Sequence, residues 1–409
     1  MPSSAVPSRA WVGGFLALLP VPDWFVSLVL DGVIAGVGAV LVFVPGLIVL
    51  FGFLTLLEDS GYMARVAFVM DRLMRFTGLH GKSFMPMLLG FGCAVPAVYA
   101  TRTLEDRNQR LITSLLVPLM SCSARLPVYV IFGLAFFGTA AASIITGLYV
   151  LGIVLAAAIG IVLSRTILRD RDDSVFALEL PPYRRPTLRS VVTHTWVRTR
   201  EFVVKAGTVI LAVSVVLWAL LNLPWGVEDE RDSYFGQVSA AAAPLLAPAG
   251  FGTWEASGAL MTGFIAKEVV VATLAQAYLE TDEPAASAVP PAPSVVEDLG
   301  AIGASFVAAL DGALRSSLSI APGVDLAPVA NAEPQDTALS TSLASAFTPL
   351  AAVAFVVFVL VYTPCVATLA AIRSEHGWRW AGFSAAYQLG LAWLLAVLVF
   401  QIGSLLEGP

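Results

Sequence analysis

Apolar residues run along this chain in blocks close to the thickness of a membrane, and a helix needs about 20 of them to cross one. Trp24 to Val44 meets that length, with Asp31 inside it. Pro45 opens a second run, Gly46 to Leu57, which closes on Glu58-Asp59-Ser60-Gly61, and helical spacing resumes from Tyr62 to Arg75. Ile144 to Leu168, Phe202 to Leu221 and Trp380 to Leu406 read as further spans. Other apolar stretches are interrupted. Phe84 to Tyr99 is short and rich in Gly and Pro. Leu111 to Phe137 is broken by Pro118, Ser121-Cys122-Ser123, Arg125 and Pro127. Ala256 to Leu279 contains Gly263 and Lys267-Glu268, and Phe347 to Ile372 contains Thr363-Pro364-Cys365. Irregular backbone at membrane depth survives only where protein buries it or a cavity meets it. The pattern therefore predicts an all-α fold, a polytopic transmembrane helical bundle containing broken or re-entrant helices.

Composition agrees. Of the 409 residues, 58% are hydrophobic and 13% charged, against about 25% charged in an ordinary soluble domain. Mean hydropathy is +0.83, so the excess apolar surface faces lipid. A net charge of −6 gives no footprint for nucleic acid. Lys and Arg set orientation. Arg165, Arg169, Arg171, Arg184, Arg185 and Arg189 mark one loop as cytoplasmic, and Arg102, Arg107 and Arg110 point to the same side. The acidic loop Glu228 to Asp232 and the Pro-, Ala- and Ser-rich segment Glu280 to Thr341 are then outside. Within that segment Val296 to Leu318 has the spacing of an amphipathic helix. At the N-terminus, Arg9 and the run Trp11 to Leu19 meet Pro20, Pro22 and Asp23 with no small-x-small cleavage site, and read as an interfacial lead-in.

Two regions look alike. Leu89-Gly90-Phe91 is followed, 32 residues after Gly90, by Cys122; Thr262-Gly263-Phe264 is followed, 102 residues after Gly263, by Cys365, the acidic segment accounting for most of the difference. Paired interrupted segments in two halves point to a transporter's midplane site, although close packing of small residues gives a similar pattern. Cys93, Cys122 and Cys365 all fall at these interruptions. Thiolates suit soft and borderline metals, and a broken helix frees carbonyls as further ligands; a lone Cys is otherwise a small buried hydrophobe. Charges within apolar sequence are functional candidates by default. Glu58 and Asp59 read either as an attractor for a cation at a pore entrance or as a membrane-edge cap paired with Arg65. Lys267-Glu268 reads as a neutral internal pair holding two helices, and Arg125 as a donor to freed carbonyls or to a carboxylate. Met63, Met85, Met87 and Met120 are soft donors whose default is packing. Gly78 to Ser83 is no P-loop, because Phe76 stands where the first Gly is needed. No nucleotide-binding or hydrolase motif is present, so a transporter rather than an enzyme is expected.

At this point the residues resemble a known family. Leu57 to Arg65 followed by Phe68-Val69-Met70-Asp71-Arg72, Gly90 to Ala97, Ala100 to Leu104, Met120 to Tyr129, Ala266 to Val270 and Tyr362 to Ile372 are similar, in order, to motifs of the ferrous iron transport protein B (FeoB) family. The resemblance runs from about Asp31 to the C-terminus, excluding the acidic segment. It implies a multi-pass importer of ferrous iron in a bacterial or archaeal cytoplasmic membrane, with two gate-type repeats whose cysteines handle iron. The candidate metal set is Cys93, Cys122, Cys365, Glu58, Asp59 and Met120, with iron as transported substrate and no resident cofactor. The implied division is an N-terminal lead-in (1–22), the first gate repeat with transmembrane helices (23–170), a cytoplasmic basic loop (171–200), a transmembrane helix with the first half of the second gate (201–279), an extracytoplasmic insert (280–341) and the second half of that gate with the last helix (342–409). Relative to the family pattern, the chain starts after the G-protein domain, the helical spacer and a first spanning helix. Ala94 stands where Asn is usual, so an amide is absent there, and Ser123 stands where Gly is common. Expected partners are membrane lipid, a separate GTP-binding protein, small accessory Feo proteins and a second copy of the chain. The alternatives are a gate-type carrier of another divalent metal or of nucleosides, and a non-transporting membrane subunit of a split system coupled to a G protein.

Overall fold

The computed structural model describes residues 22–167, 183, 185–225, 230–278 and 334–407. The expected lead-in, the basic loop from residue 168 to 182 and the insert up to residue 333, with its amphipathic stretch, lie outside them. Among the described residues every regular element is helical. In chain order these are α1 (Asp23–Ser27), a π-helical turn (Leu28–Ile34), α2 (Ala35–Asp59), α3 (Tyr62–Phe76), α4 (Phe84–Gly90), α5 (Ala94–Ala100), α6 (Arg107–Leu116), α7 (Leu126–Phe137), α8 (Ala141–Ile167) and α9 (Leu188–Asn222). They continue with α10 (Tyr234–Leu246), α11 (Trp254–Ile265), α12 (Val269–Tyr278), α13 (Pro334–Ala346), α14 (Pro349–Val361), α15 (Val366–His376) and α16 (Trp378–Glu407). Among the described residues four stretches are long and apolar enough to cross a membrane, Arg107–Thr166, Leu188–Asn222, Pro349–His376 and Trp378–Leu406, and the pair Val44–Asp59 and Tyr62–Phe76, bent by 82°, qualifies when taken together.

The chain forms two compact units. One holds α1, most of α2 and α9. Here the polar residue in the first apolar run is accounted for: Trp218 Nε1 donates to Ser27 Oγ at 2.9 Å, and Ser27 Oγ donates to Asp31 Oδ2 at 3.0 Å. Ser214 Oγ on α9 also donates to the Gly32 carbonyl, at 3.1 Å. The expected new start at Pro45 is corrected: α2 runs through Pro45 without a break. Proline removes one hydrogen bond, and within a membrane helix neighbouring groups and small local adjustments absorb that loss.

The other unit holds α3 to α8, most of α10, and α11 to α16. Its centre is α14, a continuous apolar run in which every residue from Ala351 to Val361 except the partly buried Val353 is buried. A helix with no polar face belongs inside a bundle. Phe355 stacks on Phe132 with centroids 4.9 Å apart and meets Phe251 edge-on at 5.3 Å. Ala392 and Ala396 on α16 are fully buried, and small residues of this kind let helix backbones approach closely. Elsewhere α16 exposes Phe383, Leu389, Trp393, Leu398 and Ile402, the apolar surface expected against lipid. Leu339 and Leu343 of α13 are buried in the same core, so the helical packing begins before Thr341.

One polar cluster ties distant parts of this unit together. Glu375, at the end of α15, is held by Arg102 Nε at 2.9 Å to each carboxylate oxygen, by Arg102 Nη2, and by Arg110 Nη2 at 3.5 Å. Its side chain is only 5% exposed, so two guanidinium groups compensate a buried charge. Beside it, His376 Nε2 lies 2.9 Å from Ser114 Oγ, and Ser114 lies 3.0 Å from Thr101 Oγ1. The Tyr387 hydroxyl donates to the Leu115 carbonyl. In the nearby loop the hydrogen bond and charge of Lys82 hold the exposed Glu105 carboxyl below the usual carboxylate range.

Candidate functional site

The interrupted stretches resolve into four helix breaks, all within one unit. In the first half α4 ends at Gly90 and α5 begins at Ala94, leaving Phe91 to Cys93 as the break. After α6 a short 3-10 turn (Val117–Leu119) precedes Met120 to Cys122, and a second (Ser123–Arg125) leads into α7. In the second half α11 ends at Ile265 and α12 begins at Val269; α14 ends at Val361 and α15 begins at Val366. The third break thus falls at Ala266-Lys267-Glu268, and Gly263 lies inside α11 rather than at the interruption. Gly263 serves packing instead: a Cβ there would run into the Tyr362 hydroxyl and Val270.

Each break ends on a residue with chemistry. Cys93, Cys122 and Cys365 are extended residues immediately ahead of the next helical turn, at ψ 129°, 160° and 155°. Glu268 holds the matching place ahead of α12. The three thiols are free and half-buried. The two breaks of the first half are stitched together, because Ser123 donates to the Gly92 carbonyl from its amide at 3.3 Å and from its hydroxyl at 3.0 Å. Gly90 allows this closeness, since a Cβ there would stand 3.0 Å from Met120 Cβ and 3.2 Å from the Val117 carbonyl. Cys93 stands within electrostatic reach of Cys365, Cys122 and Glu268. Met120 is buried beside Gly90. The cysteines and Met120 therefore share one region. Glu58 and Asp59 close α2, outside the four breaks. Near them Arg65 donates to the Gly61 carbonyl at 2.9 Å and lies 3.4 Å over the Tyr183 ring. Among the described residues no three His, Cys, Asp or Glu side chains stand close enough together to hold one metal ion.

Two buried cations complete the region. Arg125, 2% exposed, donates to the Met120 carbonyl at 3.0 Å and to the Pro118 carbonyl at 2.9 Å. Lys267, 4% exposed, donates to the Thr363 carbonyl at 2.7 Å and the Tyr362 carbonyl at 3.4 Å, and lies 2.9 Å from the centroid of the Tyr362 ring. The neutral Lys267-Glu268 pair expected from sequence is corrected: the lysine reaches across to the break before Cys365. The physical cause is the broken helix. The last carbonyls of a helix have no partner within it, carry its negative end, and find no water at membrane depth. A charge placed there costs about 3 kcal/mol on insertion scales. Two charge-assisted hydrogen bonds at about 1.5–3 kcal/mol each offset that. Both cations thus belong to the breaks themselves. Sequence spacing gave Arg125 this role as one of two choices, whereas the Lys267 contact, 95 and 96 residues distant in the chain, has no local signal.

Paired broken helices inside a bundle of membrane-length helices define a polytopic helical membrane protein built on two repeats. A family model described as nucleoside recognition (Gate) matches residues 40–136 and 203–379, and one described as the C terminus of ferrous iron transport protein B matches residues 145–198. The chain belongs to the ferrous iron transport protein B family and carries its gate-bearing membrane part. It is 40% identical over 394 residues to the Fe(2+) transporter FeoB of Staphylococcus aureus (strain COL), covering 96% of this chain and 51% of that protein. To the Fe(2+) transporter FeoB of Methanocaldococcus jannaschii it is 39% identical over 390 residues, covering 93% of this chain and 50% of the relative. A Porphyromonas gingivalis protein, a fusion of Fe(2+) transport protein A with Fe(2+) transporter FeoB, is 38% identical over 432 residues, covering 97% of this chain and 46% of the fusion. The chain thus spans about half the length of the curated relatives it matches. No solved structure matches it significantly.

Proposed function

We propose that this chain forms the membrane pathway for ferrous iron in a bacterial or archaeal cytoplasmic membrane, with the ion passing the helix breaks at Cys93, Cys122 and Cys365. The observation that carries this reading is the placement of three free thiols, one at each of three breaks in a two-repeat bundle. The names of the relatives, all Fe(2+) transporters, support the cargo. Sulfur donors suit a borderline metal, and a conducted ion must be held weakly enough to leave. Thiols spread over several breaks, rather than gathered into one closed site, favour such transient coordination. Met120, buried beside the first pair of breaks, is a candidate soft donor, and Glu58 with Asp59 a candidate attractor at the entrance. Partners in this reading are lipid, a GTP-binding protein, a small accessory Feo protein and a second copy of the chain; the Porphyromonas gingivalis fusion supports the accessory protein.

The deciding experiment is anaerobic ferrous iron entry into proteoliposomes that contain only this chain, beside a Cys365→Ser variant. Entry by the unaltered chain and its loss in the variant are expected. Because the gate family is described by nucleoside recognition, thermal stabilisation by nucleosides is the parallel assay. A nucleoside response without iron entry would replace the iron reading.

A further inference from the structure

We infer that Arg125 and Lys267 set cation selectivity at the breaks by keeping the freed carbonyls occupied, so that sulfur rather than backbone oxygen faces a passing ion. The inference rests on the metal-pathway reading above. A broken helix in a membrane ordinarily offers its bare carbonyls as ligands, and rings of carbonyl oxygen are how filters for hard cations are built. Here the carbonyl two residues ahead of the cysteine is taken in both repeats: Met120 O by Arg125 at 3.0 Å and Thr363 O by Lys267 at 2.7 Å. A second carbonyl is taken each time, at Pro118 and Tyr362. The Lys267 ammonium also covers the Tyr362 ring, whose face is itself a cation site. The two cations come from different places, one three residues beyond its cysteine and the other from the opposite half of its repeat, yet each ends on the same backbone position. Lys267 lies within electrostatic reach of Arg125, Cys365 and Cys122. Carbonyl and carboxylate suit magnesium and calcium, while thiolate suits the softer transition metals. Occupying these four carbonyls therefore withdraws backbone oxygen from hard cations at the breaks before Cys122 and Cys365 and leaves the thiols there.

The test is site-resolved alkylation of Cys122 and Cys365 in lipid nanodiscs, under anaerobic conditions, with Fe(II), Mg(II) or Ca(II) present. In the unaltered chain Fe(II) slows labelling and the hard ions do not. In Lys267→Met, Mg(II) or Ca(II) slows labelling of Cys365 by about tenfold, as freed oxygens now hold the ion beside it, while Cys122 is unchanged. Arg125→Met gives the reverse pattern, and Lys267→Arg restores discrimination. This local reciprocity is a readout that loosened packing does not produce. Fe(II) protection in every protein, with no hard-ion response in either Met variant, would overturn the selectivity role and leave the iron reading standing. No protection by any ion in any protein would overturn both. If both Met variants lose their thermal unfolding transition while Lys267→Arg and Arg125→Lys keep it, the cations are structural only and the inference fails.

Discussion

At the residue scale the gate region is intolerant of added volume. Gly90→Ala would place a methyl 3.0 Å from Met120 Cβ, and overpacking of this kind costs about 1–3 kcal/mol. The expected outcome is a lowered unfolding midpoint in detergent, with the Ser123 contact to Gly92 loosened. Tyr362 makes the opposite prediction. Its hydroxyl is buried with no hydrogen-bond partner among the described residues, and an unsatisfied buried polar group costs about 1–3 kcal/mol. Tyr362→Phe keeps the ring under Lys267, so a neutral to stabilising change is expected; a midpoint drop would reveal a bridging water. Cys93 and Cys365 were legible in the sequence because Gly92 and Pro364 adjoin them, and Cys122 and Arg125 because Pro118 and Pro127 bracket them. Lys267 was legible as an oddity but not in its role, since its neighbour Glu268 offered a local partner that the fold does not use.

At the element scale the interruptions were readable to within a few residues. Thr363-Pro364-Cys365 marked its break directly. Of the two interruptions expected between Ala256 and Leu279, Lys267-Glu268 lies in the break, which opens at Ala266, extended at φ −146°, whereas Gly263 misled, because a glycine inside a helix serves close packing as readily as a break. Pro45 misled in the other direction, since a membrane helix carries proline without ending. The contact between Glu375 and the arginines joins helices far apart in the chain and has no sequence period behind it. A double-mutant cycle on Arg102→Ala and Glu375→Ala measures it. With the carboxylate buried, the arginine half-exposed and the contact bidentate, the pair is expected to couple by about 0.5–2 kcal/mol, whereas a more exposed pair such as Lys82 and Glu105 couples weakly and less with salt.

At the scale of the whole molecule, composition alone carried the fold class: 58% hydrophobic residues with 13% charged leave no soluble solution. Which helix lies innermost was also written there, because α14 has no polar face. What composition does not encode is the meeting of distant segments, from the Lys267 contact 96 residues away at a break to the Arg102–Glu375 contact 273 residues away between the halves. The proteoliposome assay belongs to this scale, and so does its contrast: Glu58→Gln with Asp59→Asn is expected to slow iron entry most at low salt, where attraction at an entrance is unscreened, without abolishing it as Cys365→Ser does.

The grip of Arg102 on Glu375 spans 273 residues, and that distance has a consequence for biogenesis. At about 5–20 residues per second of synthesis, roughly 15–55 s separate the emergence of the arginine from that of its carboxylate. Throughout that interval the newly inserted first half carries Arg102 and Arg110 without the Glu375 carboxylate, and anionic headgroups at the bilayer surface are available as a counter-charge. Maturation of the protein then includes a handover from lipid to Glu375, and membranes depleted of anionic lipid should delay the protease-resistant form of the nascent chain.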